Sequence, residues 1–261
     1  MQIGISTANL YPMTIEDALS SLRGKGAEVT EVFLNTTSEA TPAFAKLLKE
    51  RADDIGVSIR SLHSYTSCFE PYMLFSQYER RFLDGLDVFS PIFESAAVAG
   101  ADYVILHGDR DPGHLTAEES IARFEALYDR GQTFGVTLLQ ENVVRFRASS
   151  PAFVRQMRAA LGEKAQFTLD FKQCRRSGVP VEEMIDAMRG AIRHVHISDA
   201  TAEHDCLMPG AGDVDFVTPL RALKSDGFDG ALIIELYRHN FDQIDELASG
   251  TAFLRQLLST L

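Results

Sequence analysis

The sequence predicts an α/β protein, a single-domain (β/α)8 TIM barrel that covers residues 1–261. Eight short runs rich in apolar and β-branched residues recur along the chain, and segments with helical spacing of apolar residues separate them. Each strand-plus-helix unit takes about 30 residues, as parallel strands joined by crossover helices require. Eight such units in a chain of 261 residues match the size of a closed barrel.

The eight runs have the β-branched, apolar character that favours strands. In chain order they are residues 3–7, 29–34, 57–65, 103–109, 136–143, 167–171, 193–199 and 231–237. Between the first two, TIEDALSSLRGKG begins with a threonine and ends at a glycine, as helices commonly do. The alternative, a doubly wound open sheet, usually has a glycine-rich phosphate turn after its first strand. The segment ISTANLYPM has no such turn, so the barrel is favoured.

Composition and charge narrow the possible partners. The chain has 45% hydrophobic and 24% charged residues, as globular proteins do, and a net charge of −12 that repels nucleic-acid phosphates. Its start lacks a signal-peptide pattern, and no apolar run is long enough to span a bilayer. The three cysteines lie far apart and indicate no disulfide framework. We therefore expect a cytoplasmic protein that binds neither nucleic acid nor membranes.

Titratable side chains appear at the ends of the third to eighth predicted strands. In that order they are His63, His107, Glu141, Asp170, His196 and Glu235. Because the C-terminal ends of barrel strands converge on one mouth, we expect these side chains to meet there. His194 lies one pleat deeper than His196, in a position to orient or support it. Asp199 follows the same strand and is expected to cap the next helix.

A metal site is predicted at four of these positions: Glu141, Asp170, His196 and Glu235. Three converging carboxylates repel one another and raise each other's pKa, and a divalent cation relieves that repulsion. An oxygen-rich set with one imidazole suits Mn²⁺, Mg²⁺ or Co²⁺, with Zn²⁺ or Fe²⁺ as further candidates.

Several motifs resemble the xylose isomerase-like TIM barrels, over essentially the whole chain. They are HVHISD, LMPGAGDVDF, QENV, LDFKQ and IIELY. This family includes sugar-phosphate isomerases and epimerases, ketose 3-epimerases, inosose dehydratase and endonuclease IV type AP endonucleases. The resemblance implies a metal-dependent sugar isomerase or epimerase with one divalent ion on the four residues above. It also implies that Glu141 and Glu235 act as the acid and base.

The chain departs from two of the family's patterns. The substrate-contacting histidine three residues after the metal-binding aspartate is here Gln173, with Lys172 before it. His63 and His107 match two zinc ligands of the AP endonucleases, but Ala202 stands where an aspartate ligand is expected. The departures disfavour DNA repair, and His63 and His107 are better assigned to binding sugar hydroxyls or supporting the site.

Substrate contacts are expected from Lys172 and Gln173, and from Arg145 and Arg238, whose guanidinium groups suit a phosphate or carboxylate. The substrate is a sugar or sugar derivative. Epimerisation, isomerisation and an inosose-dehydratase-like lyase reaction all use the same residues, so the sequence leaves the product open. A non-catalytic sugar-binding barrel is the remaining alternative. A homo-oligomer is also left open.

Overall fold

Eight parallel strands form a closed barrel in the structure, a computed structural model that describes residues 1–261. They are β1 (Gln2–Ser6), β2 (Val29–Phe33), β3 (Ser58–His63), β4 (Tyr103–Leu106), β5 (Thr137–Glu141), β6 (Phe167–Asp170), β7 (Ile192–Ile197) and β8 (Ala231–Ile234). The strands pair in chain order, and β1 closes the barrel against β8, where Ile5 lies opposite Ile234. This closure confirms the predicted (β/α)8 TIM barrel and excludes the open doubly wound sheet.

Ten α-helices accompany the strands. They are α1 (Ile15–Ser21), α2 (Pro42–Ile55), α3 (Glu70–Met73), α4 (Glu79–Ala99), α5 (Ala117–Gln132), α6 (Pro151–Leu161), α7 (Phe171–Ser177), α8 (Val181–Met188), α9 (Val217–Ser225) and α10 (Leu247–Leu258). At the start of α1, the Thr14 side chain accepts a hydrogen bond from the Asp17 N–H, the cap that the sequence pattern suggests. None of the helices combines the length and the apolar character needed to cross a membrane.

The main hydrophobic core includes side chains of both strands and helices. Leu138 of β5 and Leu232 of β8 are fully buried in the same cluster as Phe89 and Phe93 of α4. Full burial of one such side chain contributes about 1.5–3 kcal/mol, so the core holds the strand ends firmly in place.

Inside the barrel, the lining changes from apolar to polar along the strands. At the N-terminal ends, Val29, Ala231 and Ile233 form a small buried cluster. Gly4 completes this layer, because a Cβ there would lie 2.4 Å from Ile233 Cδ1. Two residues after Val29, on the same face of β2, the wholly buried Glu31 begins the polar part. The barrel therefore places its buried polar side chains toward the C-terminal mouth.

Candidate metal centre and active site

Four strands bring the predicted metal ligands to one point of the mouth. Glu141 and Asp170 end β5 and β6, His196 is the last but one residue of β7, and Glu235 directly follows β8. His196 Nδ1 lies 3.1 Å from Glu141 Oε1, 3.8 Å from Asp170 Oδ2 and 3.9 Å from Glu235 Oε2. Glu141, Asp170 and His196 offer ligand atoms within 4.8 Å of one another, and Glu235 lies beside them.

Two buried carboxylate oxygens of this group indicate that a cation fits here. Glu141 Oε2 and Asp170 Oδ2 have no hydrogen-bond donor, although buried acceptors are nearly always paired. Burial also raises the pKa of the Asp170 carboxyl, which lies close to Glu141 and Glu235. Hard oxygen ligands with one imidazole suit a divalent ion, so the donor set fits the predicted metal.

Lys172 lies among the same carboxylates, in the first turn of α7. Its Nζ is 2.6 Å from Glu235 Oε2 and 3.4 Å from Asp170 Oδ2, and its side chain is 7% exposed. Burial alone would lower the pKa of this ammonium group, but Asp170 and Glu235 outweigh burial and raise it well above its ordinary value. In return, the Lys172 charge lowers the pKa of the Glu235 carboxyl against the opposing effect of burial. Glu235 is therefore held ionised.

A second group of ligand atoms meets at the other oxygen of Glu141. The Nε2 atoms of His63 and His107 each lie 3.6 Å from Glu141 Oε2, and the three side chains form a further possible metal group. His63 Nδ1 is 3.2 Å from the Ser64 carbonyl oxygen. Burial raises the pKa of the Glu141 carboxyl, but its interactions with the imidazoles of His196 and His63 outweigh burial and hold it well below the ordinary value.

Glu70 is a site residue that the sequence reading missed. It lies in α3, is fully buried, and accepts hydrogen bonds from the Gly108 N–H at 2.7 Å and the Thr66 hydroxyl at 2.7 Å. Its Oε1 is 3.4 Å from His107 Nδ1. Burial would lower the pKa of His107, but the Glu70 carboxylate outweighs burial and raises it to about 9. No strand-end position or motif marks Glu70, so the sequence alone carried no signal for it.

Three of the predicted substrate-binding residues, Gln173, Arg238 and Arg145, lie in or contact loops at the mouth of the barrel. Gln173 Oε1 accepts a hydrogen bond from the Val144 N–H at 3.1 Å, so the Gln173 side chain ties α7 to the loop that follows β5. The Arg238 guanidinium donates to the carbonyl oxygens of Phe241, at 2.7 Å, and Asp242, at 3.2 Å. Arg145 is exposed in the loop after β5, with a φ of 69°. The side chains of Gln173 and Arg145 make no hydrogen bond to the group around His196, whereas Arg238 lines a cavity next to Glu235 and Lys172.

Comparisons with known proteins bear on this architecture. Residues 19–257 match a family model described as the xylose isomerase-like TIM barrel. The chain belongs to this family. It is 21% identical to an uncharacterised protein of Methanocaldococcus jannaschii over 90% of this chain and 83% of that protein.

Solved structures share the fold at low sequence identity. A D-tagatose 3-epimerase-like protein superposes with a TM-score of 0.82 at 19% identity, covering 100% of this chain and 98% of the other. The D-allulose 3-epimerase of Methylomonas sp., in complex with D-allulose, superposes with a TM-score of 0.80 at 16% identity, covering 98% of this chain and 96% of the other. The 3-keto-D-glucoside 4-epimerase of E. coli superposes with a TM-score of 0.77 at 17% identity, covering 98% of this chain and 99% of the other. Two of these structural neighbours are named as sugar epimerases, and one is named as a protein similar to a sugar epimerase.

One expectation for the family motif after β7 is wrong. Asp199 does not cap a helix: its carboxylate accepts the N–H groups of Ala200, Gly210 and Val214, at 2.8, 2.9 and 3.0 Å. Asp215 instead accepts the first N–H groups of α9. Asp199 therefore ties the glycine-containing loop to the end of β7, because the loop is too long for the helix to begin directly after the strand.

A cavity beside the centre has room for a small molecule. Its volume is about 660 Å³, and Glu235 and Lys172 form part of its lining. The rings of Tyr11, Phe33 and Tyr237 line other parts of it. Apolar walls with a few converging polar groups are typical of small-ligand sites.

Proposed function

We propose that the protein is a divalent-metal-dependent isomerase or epimerase of a sugar, sugar phosphate or keto-polyol, which removes a proton next to a carbonyl group. The observation that carries the proposal is the meeting of Glu141, Asp170 and Glu235 within 3.9 Å of His196 Nδ1. Two of these carboxylates have oxygens without a donor. The sugar epimerases with the same fold agree with this chemistry.

One metal ion is proposed on Glu141, Asp170, His196 and Glu235, with Mn²⁺, Mg²⁺ or Co²⁺ favoured over Zn²⁺ and Fe²⁺. When bound, such an ion polarises a substrate carbonyl and makes the neighbouring C–H group more acidic. His196 and Asp170 are fully buried, so their part is to hold the centre. Glu235 lies at the cavity and is 14% exposed, which leaves it open to a substrate.

Glu141 and Glu235 are the proposed proton-transfer pair. Both carboxyl groups have a lowered pKa, so both are ionised and can each accept a proton at neutral pH. One glutamate removes the proton, and the other first takes up a proton from water and then delivers it to the opposite face of the same carbon, which gives epimerisation. Return to the neighbouring carbon gives isomerisation, and loss of a β-hydroxyl group gives the lyase reaction.

Substrate hydroxyl groups are proposed to bind His63, His107 and Lys172. The two imidazoles lie beside Glu141, and Lys172, which is paired with Glu235, lines the cavity. Arg238 lines the same cavity, and its two bonds to backbone carbonyls leave other N–H donors of the guanidinium unused, so it remains a proposed contact for a phosphate or carboxylate of the substrate.

Deuterium exchange tests the proposal. The purified protein is incubated in D₂O with Mn²⁺ and a panel of ketoses, ketose phosphates and inososes, and C–H exchange is followed by NMR. We expect exchange by the wild type, a loss of about 10²–10⁴-fold in Glu141→Gln and Glu235→Gln, and no loss in the surface variant Glu163→Gln. Exchange without water loss supports the isomerase or epimerase, whereas loss of water assigns the lyase.

Two outcomes favour the alternatives. Sugar binding without C–H exchange, whichever divalent metal is added, would indicate a non-catalytic sugar-binding barrel. The group of His63, His107 and Glu141 is the observation that favours an AP endonuclease, and about three bound zinc ions with cleavage of abasic DNA would establish one. Against it, Ala202 stands where the endonucleases are expected to have an aspartate ligand, Gln173 stands where they need a histidine, and the net charge of −12 repels DNA.

A further inference from the structure

A fully buried carboxylate lies directly beneath the proposed metal centre. Glu31, on β2, is 0% exposed, and its Oε2 is within hydrogen-bonding distance of three groups. The Ser61 hydroxyl donates to it at 2.8 Å, and the Nε2 atoms of His194 and His196 lie at 3.0 and 3.1 Å. A fourth group, the Ser6 hydroxyl, is 3.4 Å from Oε1. Glu31 has no access to a substrate and no role in the proton transfers proposed above.

This contact determines which nitrogen of His196 faces the metal. A carboxylate oxygen only accepts hydrogen bonds, so the His196 Nε2 atom beside it carries the hydrogen. The other nitrogen, Nδ1, faces Glu141 Oε1 at 3.1 Å and Asp170 Oδ2 at 3.8 Å, so it can also carry a hydrogen in the metal-free protein. A cation bound among these carboxylates would replace that hydrogen, whereas the hydrogen on Nε2 would stay with Glu31. A metal ligand must offer a lone pair, and a neutral imidazole with hydrogen on Nε2 offers it on Nδ1.

The neighbouring histidine shows the same preference. His194 Nε2 contacts Glu31, and its Nδ1 has no hydrogen-bond partner. The two rings meet edge to face with centroids 5.3 Å apart, so His194 and Glu31 both restrict rotation of the His196 ring. An apolar residue at position 31 would leave the His196 Nε2–H group buried without an acceptor, at a cost of about 1–3 kcal/mol, and would leave His194 Nε2 only the Ser61 hydroxyl, at 3.3 Å.

We propose that Glu31 is a positioning residue that holds His196 as the Nε2–H tautomer and thereby presents Nδ1 as the metal ligand. The inference rests on the proposed function, because it concerns the same metal site. Partners that orient a ligating histidine typically change metal affinity by about 10–100-fold when they are removed. We expect a weakening of this size in Glu31→Gln, because the glutamine amide can present an N–H group to His196 Nε2 and favour the wrong tautomer.

Co²⁺ binding provides the test. The visible absorption of Co²⁺ is titrated against metal-free wild type, Glu31→Gln and the matched control Asp109→Asn. Asp109 is also a buried carboxylate with partners of its own, the Ser120 hydroxyl and the Arg147 guanidinium, but it contacts none of the four proposed ligands. We expect the Co²⁺ Kd to rise about 10–100-fold in Glu31→Gln and to stay within about twofold of the wild type in Asp109→Asn.

A second measurement does not depend on any variant folding. Histidine ¹⁵N–¹H correlation spectra of the Zn²⁺-loaded wild type are expected to show His196 with hydrogen on Nε2 and none on Nδ1. Hydrogen on Nδ1, or an unchanged Co²⁺ Kd in Glu31→Gln, would overturn the inference and leave the metal-dependent function standing. A wild type that binds neither Co²⁺ nor Zn²⁺ would instead refute the proposed function, and with it the role assigned to Glu31.

Discussion

Replacing Lys172 with methionine tests how the acidic centre is held together before a metal arrives. Lys172 Nζ is 2.6 Å from Glu235 Oε2 and 3.4 Å from Asp170 Oδ2. Lys172→Met keeps most of the side-chain volume but removes the charge, so two buried carboxylates lose their neighbouring cation. We expect the metal-free variant to be less stable and to gain more stability from a bound divalent ion than the wild type gains.

The distances set the size of the effect. With an effective dielectric constant of about 20, charges at these separations attract by roughly 6 and 5 kcal/mol, and desolvation of the ammonium group offsets much of this. Removing one partner of a buried ion pair typically costs roughly 3–5 kcal/mol. In a chain of this size, that corresponds to a fall in the unfolding midpoint of roughly 6–20 °C.

Thermal unfolding followed by circular dichroism measures both effects, once with EDTA and once with saturating Mn²⁺. The control is Lys164→Met, because Lys164 also pairs with two carboxylates, Glu125 and Asp129, but on the surface. We expect only a small change in the unfolding temperature of Lys164→Met, because exposed ion pairs contribute little to stability. If metal-free Lys172→Met unfolds at the wild-type temperature, or if Mn²⁺ stabilises both proteins equally, the assignment of Lys172 as the resident counter-charge is wrong.

Three further predictions concern the same centre. Asp170→Asn is expected to lower bound Mn²⁺, measured by elemental analysis after dialysis, because it removes a charged ligand from the set; an unchanged metal content would contradict the site. Because the pKa of His107 is raised to about 9, its protonation stabilises the metal-free fold fully below about pH 6.5, and this contribution is lost as the pH rises through about 9. Thermal unfolding between pH 6 and 10 measures this loss, and Glu70→Gln should reduce it; an equal pH dependence in both proteins would contradict the contact. Saturating Mn²⁺ at about 100 times its Kd should stabilise the wild type by about 2.7 kcal/mol in urea unfolding, and chelation should reverse this.

Much of the architecture followed from local sequence patterns. The β-branched runs recur at the spacing of strand-and-helix units, and the eight strands fall where these runs predict them. Since the ends of parallel barrel strands converge whatever path the loops take, the positions of Glu141, Asp170, His196 and Glu235 in the sequence were enough to predict that they meet.

Contacts made by loops and by the barrel interior were not accessible in this way. Glu70 reaches His107 from a helix of four residues, and Arg238 turns back to its own loop; neither follows a period that a sequence pattern can reveal. Glu31 was visible only as an acidic residue on the second strand, and its contact with His196 required the closed barrel.

The sequence by itself determined the barrel and the set of side chains at its mouth, because both depend on strand periodicity and on which residues end each strand. Only the tertiary structure decided which of these groups pair, such as Lys172 with Glu235 and Glu31 with His196. The reason is physical: hydrogen bonds and ion pairs depend on separations of a few ångströms between residues distant in the chain, and those separations are set by packing.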